Sequence, residues 1–368
     1  LRGGGVATGP VARERWDAAR YYDPDPRAPG KTVCTQGGFL DEIRSFDAAA
    51  FGIDPDEARQ IDPQQRLFLE VASEALSAAG TRSRSVGVFA GAGGNEYFQA
   101  QSSDPYRITA ASAPANLDNM LAARVSQRLG LTGPALTVNA ACATSLVSVL
   151  LAARSVLAGE CELAIAGGAQ LNLSVTPFLL FSQAGVLSPS GRCRPFSSQR
   201  DGFVPGEGAG AVVLKPLAAA QRDGDTILGV LRGGAMNNDG GGLSSMAPNP
   251  AGQRAVLRQA WEQAGLDPQT ASYVEAHGTA TAVGDPVEVR ALREVFGPAG
   301  ARDLGLGSVK ANLGHLLNAA GIASLIKVLL ALHHELLPPT PGCDEAEVLE
   351  SDRDLDLGRT LEDERAVL

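Results

Sequence analysis

Short runs rich in β-branched and small apolar residues alternate with longer stretches whose apolar positions recur at helical spacing. That alternation predicts an α/β architecture around a buried sheet. Residues 56–79 read as a helix stopped by Gly80, and residues 86–91, VGVFAG, as a buried strand. The clearest unit follows, with a strand at 135–141, Cys142 at the turn, a helix over 143–158 ended by Gly159, and a strand at 163–166. This is a βαβ unit with a cysteine where the strand hands over to the helix. Further strands are predicted at 209–214, 226–231, 272–276 and 304–309, and helices at 251–264, 284–296 and 319–333. No repeat or low-complexity linker divides the chain, so one domain is expected, built as one unit or as two interleaved halves.

Composition narrows the function classes. The chain has 368 residues, 44% of them hydrophobic, with 31 Lys and Arg against 41 Asp and Glu and a net charge of −10. Ten of the acids fall between 341 and 368, against three arginines, which makes that segment a separate acidic stretch. A net-negative chain offers no field for a nucleic-acid backbone or an anionic membrane, so neither is expected as a partner. The apolar runs at 146–157 and 322–332 are interrupted by Arg154 and Lys327, so no membrane span is expected, and residue 1 opens no leader-like pattern. A cytoplasmic location is expected. Five scattered cysteines with no Cys-x-x-Cys favour neither disulfides nor zinc, and Cys161 and Cys193 read as small buried hydrophobes. The Gly206–Gly210 stretch precedes a strand instead of opening a helix, which is the wrong order for a dinucleotide loop.

Candidate chemistry centres on Cys142. The free amides and dipole at a helix start stabilise a thiolate and are expected to lower the thiol pKa. His277 and His315 stand in glycine-flanked segments that follow strands, where side chains leave a sheet edge, whereas His333 and His334 end a helix and read as solvated. A helix-start cysteine and two loop histidines form an acyl-transfer constellation.

The runs VNAACATSL around Cys142, VEAHGTATAVGDPVE around His277 and SVKANLGHLLNAAG around His315 resemble the three signatures of the β-ketoacyl synthase family, in particular ketosynthase domains of type I polyketide synthases. The resemblance runs over residues 1–340 with motif order kept. It implies a thiolase-like fold, two similar halves in a five-layered α-β-α-β-α core, usually dimeric. It further implies that Cys142 accepts an acyl chain from the phosphopantetheine arm of an acyl carrier protein. A malonyl-type extender on a carrier is then decarboxylated, and its enolate attacks the Cys142 thioester. By motif position His277 and His315 are the two active-site histidines and Lys310 the active-site lysine. Asp285 and Glu288 match the acidic pair that holds the loop and the Lys310 side, although either can also be read as a cap or first-turn acid of the following helix. No intrinsic cofactor is implied. The carrier protein is expected to dock on a local patch of Arg and Lys.

The chain departs from the usual modular pattern at Asn139–Ala140, Ala143–Thr144, Ala280 and Leu317–Asn318, which leaves modular, iterative and polyunsaturated-fatty-acid types open but removes no catalytic group. The family's first strand and a later glycine-rich loop carrying an oxyanion-hole amide have no match, so the sequence is expected to be part of a larger polypeptide, with 341–368 continuing into the rest of the domain. Two other readings remain: a catalytically silent ketosynthase-like scaffold that dimerises and docks carrier protein, and a papain-like hydrolase using Cys142, His315 and Asn312.

Overall fold

The computed structural model describes residues 1–240, 247–297 and 304–343. The expected helix over 56–79 is two helices, Pro55–Gln60 and Pro63–Ala78 (α1). Pro63 forces the break, because a proline lacks the N–H an inner helical turn needs and drives the preceding residue out of the helical region. Asp62 turns the break into a cap, accepting the Gln64 N–H at 2.8 Å.

Strand β1 (Val86–Ala92) is followed by helix α2 (Met120–Leu129), strand β2 (Ala135–Thr137), helix α3 (Thr144–Leu157), and strands β3 (Leu163–Gln170) and β4 (Gly208–Leu214). They form a sheet of order β2-β1-β3-β4, parallel except for β4. The two-residue period of a strand assigns its faces. Val86, Val88, Ala90, Leu163 and Ile165 join Phe68, Leu69, Leu121 and Val125 of α1 and α2 in one core. Phe89, Ala164 and Ala166 point the other way, into a second core with Val149 and Ala152 of α3 and Ile322.

The second half contributes helix α4 (Pro250–Ala264), strand β5 (Tyr273–Glu275), helix α5 (Gly284–Phe296), strand β6 (Gly305–Gly307) and helix α6 (Ala320–His334). β5 and β6 pair in parallel. Leu257 of α4 and Val289, Leu292 and Phe296 of α5 pack with Val274 and Leu306 of this small sheet. Helices α3 and α6 lie between the two sheets, α6 touching both β4 and β5. The layers therefore run α1/α2, large sheet, α3/α6, small sheet, α4/α5, which is the α-β-α-β-α order of a thiolase-like fold.

Two strand expectations fail. The strand expected over 135–141 ends at Thr137, and residues 226–231 have no strand partner among the described residues. Ile227, Leu228 and Leu231 of that second segment are exposed, so its apolar pattern is not matched by burial. Residues 317–334 are the one described helical run long and apolar enough to cross a membrane. Lys327 within it is buried in an ion pair and Ile322 is core, as befits an interior helix of a folded protein. The acidic stretch expected over 341–368 lies, from 344 onward, outside the described residues.

Candidate active site

Cys142 sits in a single turn, Ala141–Ala143, between the C-terminal end of β2 and the start of α3. Ala141 is held at φ 49°, a left-handed conformation that costs an alanine about 1–2 kcal/mol. Asn139 Oδ1 accepts the Ala141 N–H at 3.1 Å and Thr144 Oγ1 the Ala140 N–H at 2.8 Å, and these two bonds offset the strain. The sulfur is thereby presented off the sheet edge.

The thiol's acidity differs from the expectation for a helix start. Burial pushes the Cys142 pKa up, with the Lys310 ammonium pulling the other way. Desolvation of the thiolate outweighs the favourable dipole, so Cys142 rests as a thiol until substrate or base draws the proton.

His315 lies in the segment joining β6 to α6. Its N–H donates to Val204 O at 2.7 Å and its carbonyl accepts the Gly206 N–H at 2.9 Å, so the loop before β4 grips it on both sides. Leu317, at φ 44°, donates its N–H to His315 Nδ1 at 3.1 Å. With Nδ1 occupied as an acceptor, a neutral ring carries its proton on Nε2, which becomes a donor. Burial and the Lys310 charge hold its pKa well below the ordinary histidine range.

His277 follows β5 directly. Glu288, one turn into α5, accepts the N–H of His277 at 2.6 Å and of Gly278 at 2.8 Å. More than a third of the His277 surface is open, yet protein crowding and then Lys310 push its pKa down to about 3. Both histidines are neutral at pH 7. Their rings meet edge to face, centroids 5.4 Å apart at 84°. Lys310, 2% exposed, acts electrostatically on both rings and on Cys142. Burial lowers its own pKa, opposed by the carboxylates of Glu288 and Glu275.

Asp285 does not cap its own helix; its Oδ2 accepts the Phe196 N–H at 2.7 Å, and the Ala280 N–H also favours the carboxylate. Burial raises it to about 7. Phe196, at φ 62° and fully buried, packs against Gly278, so Asp285 braces the His277 loop from outside.

Asn312 does not join His315. Its Nδ2 donates to Gly5 O at 2.9 Å, which ties down the N-terminal segment, and a Cys–His–Asn triad is not assembled. His333 and His334 are exposed at the end of α6. No disulfide forms among the described residues, and burial raises Cys193 to about 12. Sequence reasoning overlooked Tyr273 and Glu275, and noted Lys327 only as an interruption of an apolar run. These three close a buried cluster directly behind the site. A lysine in a core helix was the available signal, since a buried ammonium demands a partner.

A cysteine at a strand-to-helix turn, two neutral imidazoles in edge-to-face contact and a buried lysine whose charge reaches all three, on a five-layered core, form a site suited to thiol chemistry. The chain belongs to the β-ketoacyl synthase family: residues 1–220 match its N-terminal domain and 228–344 its C-terminal domain. Among proteins it resembles is a phenolphthiocerol/phthiocerol polyketide synthase of Mycobacterium tuberculosis, 48% identical over 343 residues, which are 91% of this chain and 18% of that protein. Erythronolide synthase EryA2 of Saccharopolyspora erythraea is 43% identical over 93% of the chain and 10% of its own length. The chain thus spans less than a quarter of these relatives. Among solved structures, an oxazolomycin ketosynthase domain of Streptomyces albus matches with a TM-score of 0.91 and 39% identity over 98% of this chain and 65% of that one. The ketosynthase from module 6 of the Bacillus subtilis bacillaene synthase matches at 0.89 and 36%, over 99% and 63%. The solved structures it resembles are thus ketosynthase domains, and the longer relatives are polyketide synthases.

Proposed function

We propose that this chain catalyses decarboxylative Claisen condensation in polyketide biosynthesis, with Cys142 as the acyl-carrying nucleophile. The Cys142 sulfur attacks the thioester of an acyl chain carried on the phosphopantetheine arm of an acyl carrier protein, and the carrier thiol leaves. A malonyl-type extender on a carrier then loses carbon dioxide. The resulting enolate oxygen accepts hydrogen bonds from neutral His277 and His315, and its carbon attacks the Cys142 thioester and expels the cysteine sulfur. The observation that carries this reading is the Nε2–H form of His315, fixed by the Leu317 amide and facing His277. Neutral donors suit an enolate because they stabilise developing charge without surrendering a proton to it. Lys310 supports the thiolate, while Glu288 and Asp285 hold the His277 loop. No resident cofactor is needed; the phosphopantetheine belongs to the partner.

The chain works as a cytoplasmic homodimer. Supporting the homodimer is β2, an edge strand whose Leu136 is 51% exposed.

Intact-mass measurement of the full-length protein after incubation with an acyl-thioester donor tests the reading. An acyl adduct on the wild type and none on Cys142→Ala is expected, followed by condensation with a malonyl carrier. A folded wild type that stays unmodified across several acyl lengths transfers the lead to a silent, carrier-docking scaffold.

A further inference from the structure

Three side chains behind the site form a sealed polar cluster within the apolar layer between the two sheets. Glu275, the last residue of β5, accepts the Tyr273 hydroxyl at 2.6 Å and the Lys327 ammonium at 2.7 Å on Oε2, and the Val309 N–H at 2.6 Å on Oε1. Lys327 Nζ also donates to the Tyr273 hydroxyl at 2.9 Å. The Lys327 and Glu275 side chains are only 1% and 4% exposed. Gly307 backs the cluster so closely that a Cβ there would collide with the Tyr273 hydroxyl. Water is excluded, so each charge relies on the other.

The positions along the chain make this more than a core ion pair. Glu275 stands two residues before His277, Val309 one residue before Lys310, and Lys327 lies on α6, the helix that begins five residues after His315. One carboxylate therefore ties together the three segments that carry His277, Lys310 and His315. We propose that the Lys327–Glu275–Tyr273 cluster is a positioning device that locks these segments in register and keeps the charge behind Cys142 balanced. The inference rests on the reading of Cys142 as the nucleophile, and it gives a role to Glu275, inside the VEAHG run, and to Tyr273 and Lys327, outside the signature runs.

The charged and titratable groups around this region are few. Cys142 faces Lys310, and Lys310 faces Glu288, Glu275, Cys193 and Cys142. His277 and His315 face Lys310 and stay neutral, and Asp285 faces Glu288, Cys193 and Arg200. Behind them Lys327 and Glu275 cancel. Removing one member leaves the other's charge acting across low-dielectric protein on the Cys142–Lys310 pair. An added positive potential lowers both apparent pKa values of such a pair, and a negative one raises both, whichever group releases its proton first.

The test is the pH dependence of Cys142 alkylation by iodoacetamide, site-resolved by mass spectrometry on the full-length protein. This readout needs no carrier and no condensation, so it is independent of whether the acyl adduct of the proposed function appears. Glu275→Gln leaves Lys327 uncompensated, and the apparent thiol pKa should fall by about half a pH unit or more. Lys327→Met leaves Glu275 uncompensated, and it should rise by a similar amount. The double variant is neutral and nearly isosteric, keeps an oxygen for the Val309 N–H, and should return to within about 0.2 of wild type. Either single variant carries its own signed expectation if the other fails to fold, and the double serves if both do: a titration displaced from wild type in that charge-neutral protein overturns the proposal. Opposite shifts restored in the double support it. Equal profiles, or shifts in the same direction, overturn it, because a merely structural role would slow or expose the thiol without a sign.

Discussion

Replacing Asp285 by Asn should make the protein more stable at pH 8 and less stable at pH 4. Asp285 is fully buried, with Oδ2 accepting the Phe196 N–H at 2.7 Å and the Ala280 N–H also directed at the carboxyl. Burial raises the carboxyl from an ordinary 3.8 to about 7, so the fold prefers the protonated acid. For an acid raised in this way, the stabilising contribution is full below about pH 4. It is lost progressively as pH climbs to about 7, and is gone above that. Keeping a carboxylate whose pKa is displaced this far ionised at pH 8 costs about 4 kcal/mol. Asparagine removes that cost and still offers an oxygen to Phe196. Its NH2 group, however, replaces an acceptor oxygen beside the Ala280 N–H with a donor that has no acceptor, at a penalty of about 1–3 kcal/mol. The net expectation is a gain of about 1–3 kcal/mol at pH 8 and a loss of similar size at pH 4. Urea unfolding of wild type and variant at pH 4.5, 6 and 8 measures the difference, and other titrating carboxyls such as Glu288 cancel to first order in the comparison. Parallel pH profiles would refute the reasoning, since the aspartate would then ionise without penalty.

Two further outcomes follow from the geometry. The imidazole carbon shifts of His277 and His315 should stay at neutral-form values as pH falls from 8 to 5, because both pKa values lie below the ordinary histidine range; a titration near pH 6.5 in either, followed by NMR, contradicts the neutral-donor assignment. Gly314→Ala should cost about 1–3 kcal/mol in thermal unfolding and reduce acyl-adduct formation on Cys142, because Gly314 is at φ 77° and a Cβ would lie 2.7 Å from Val204 O beside the His315 grip; unchanged stability and acylation would show that the loop has slack.

The βαβ unit around Cys142 was legible in the sequence because strand and helix periods differ and Gly159 stops the helix. The helix expected over 56–79 was misjudged because its apolar spacing continues through Pro63, whose backbone requirement overrides the pattern. The segment 226–231 was misjudged because a strand-like pattern states what could pair and not whether a neighbour is there. Cys142, His277 and His315 stood out because local glycine and strand context brought each to a chain turn, whereas Lys310 was picked out only by the family resemblance. The hydrolase alternative is not supported at Asn312: standing three residues before His315 in sequence says nothing of direction, and its amide turns to Gly5.

The sequence by itself determined the alternation of elements, the nucleophile's place at a strand-to-helix turn and the family motifs, since these depend on spacing along one stretch of chain. Only the tertiary structure decided the protonation states and the supports. Burial of Cys142 reversed the effect expected of the helix start, and Leu317 chose the His315 tautomer. Glu275, Val309 and Lys327 meet although up to 52 residues separate them. Desolvation and hydrogen bonding act over a few ångströms of space, and which groups fall within that range is settled by packing the layers, not by order in the chain.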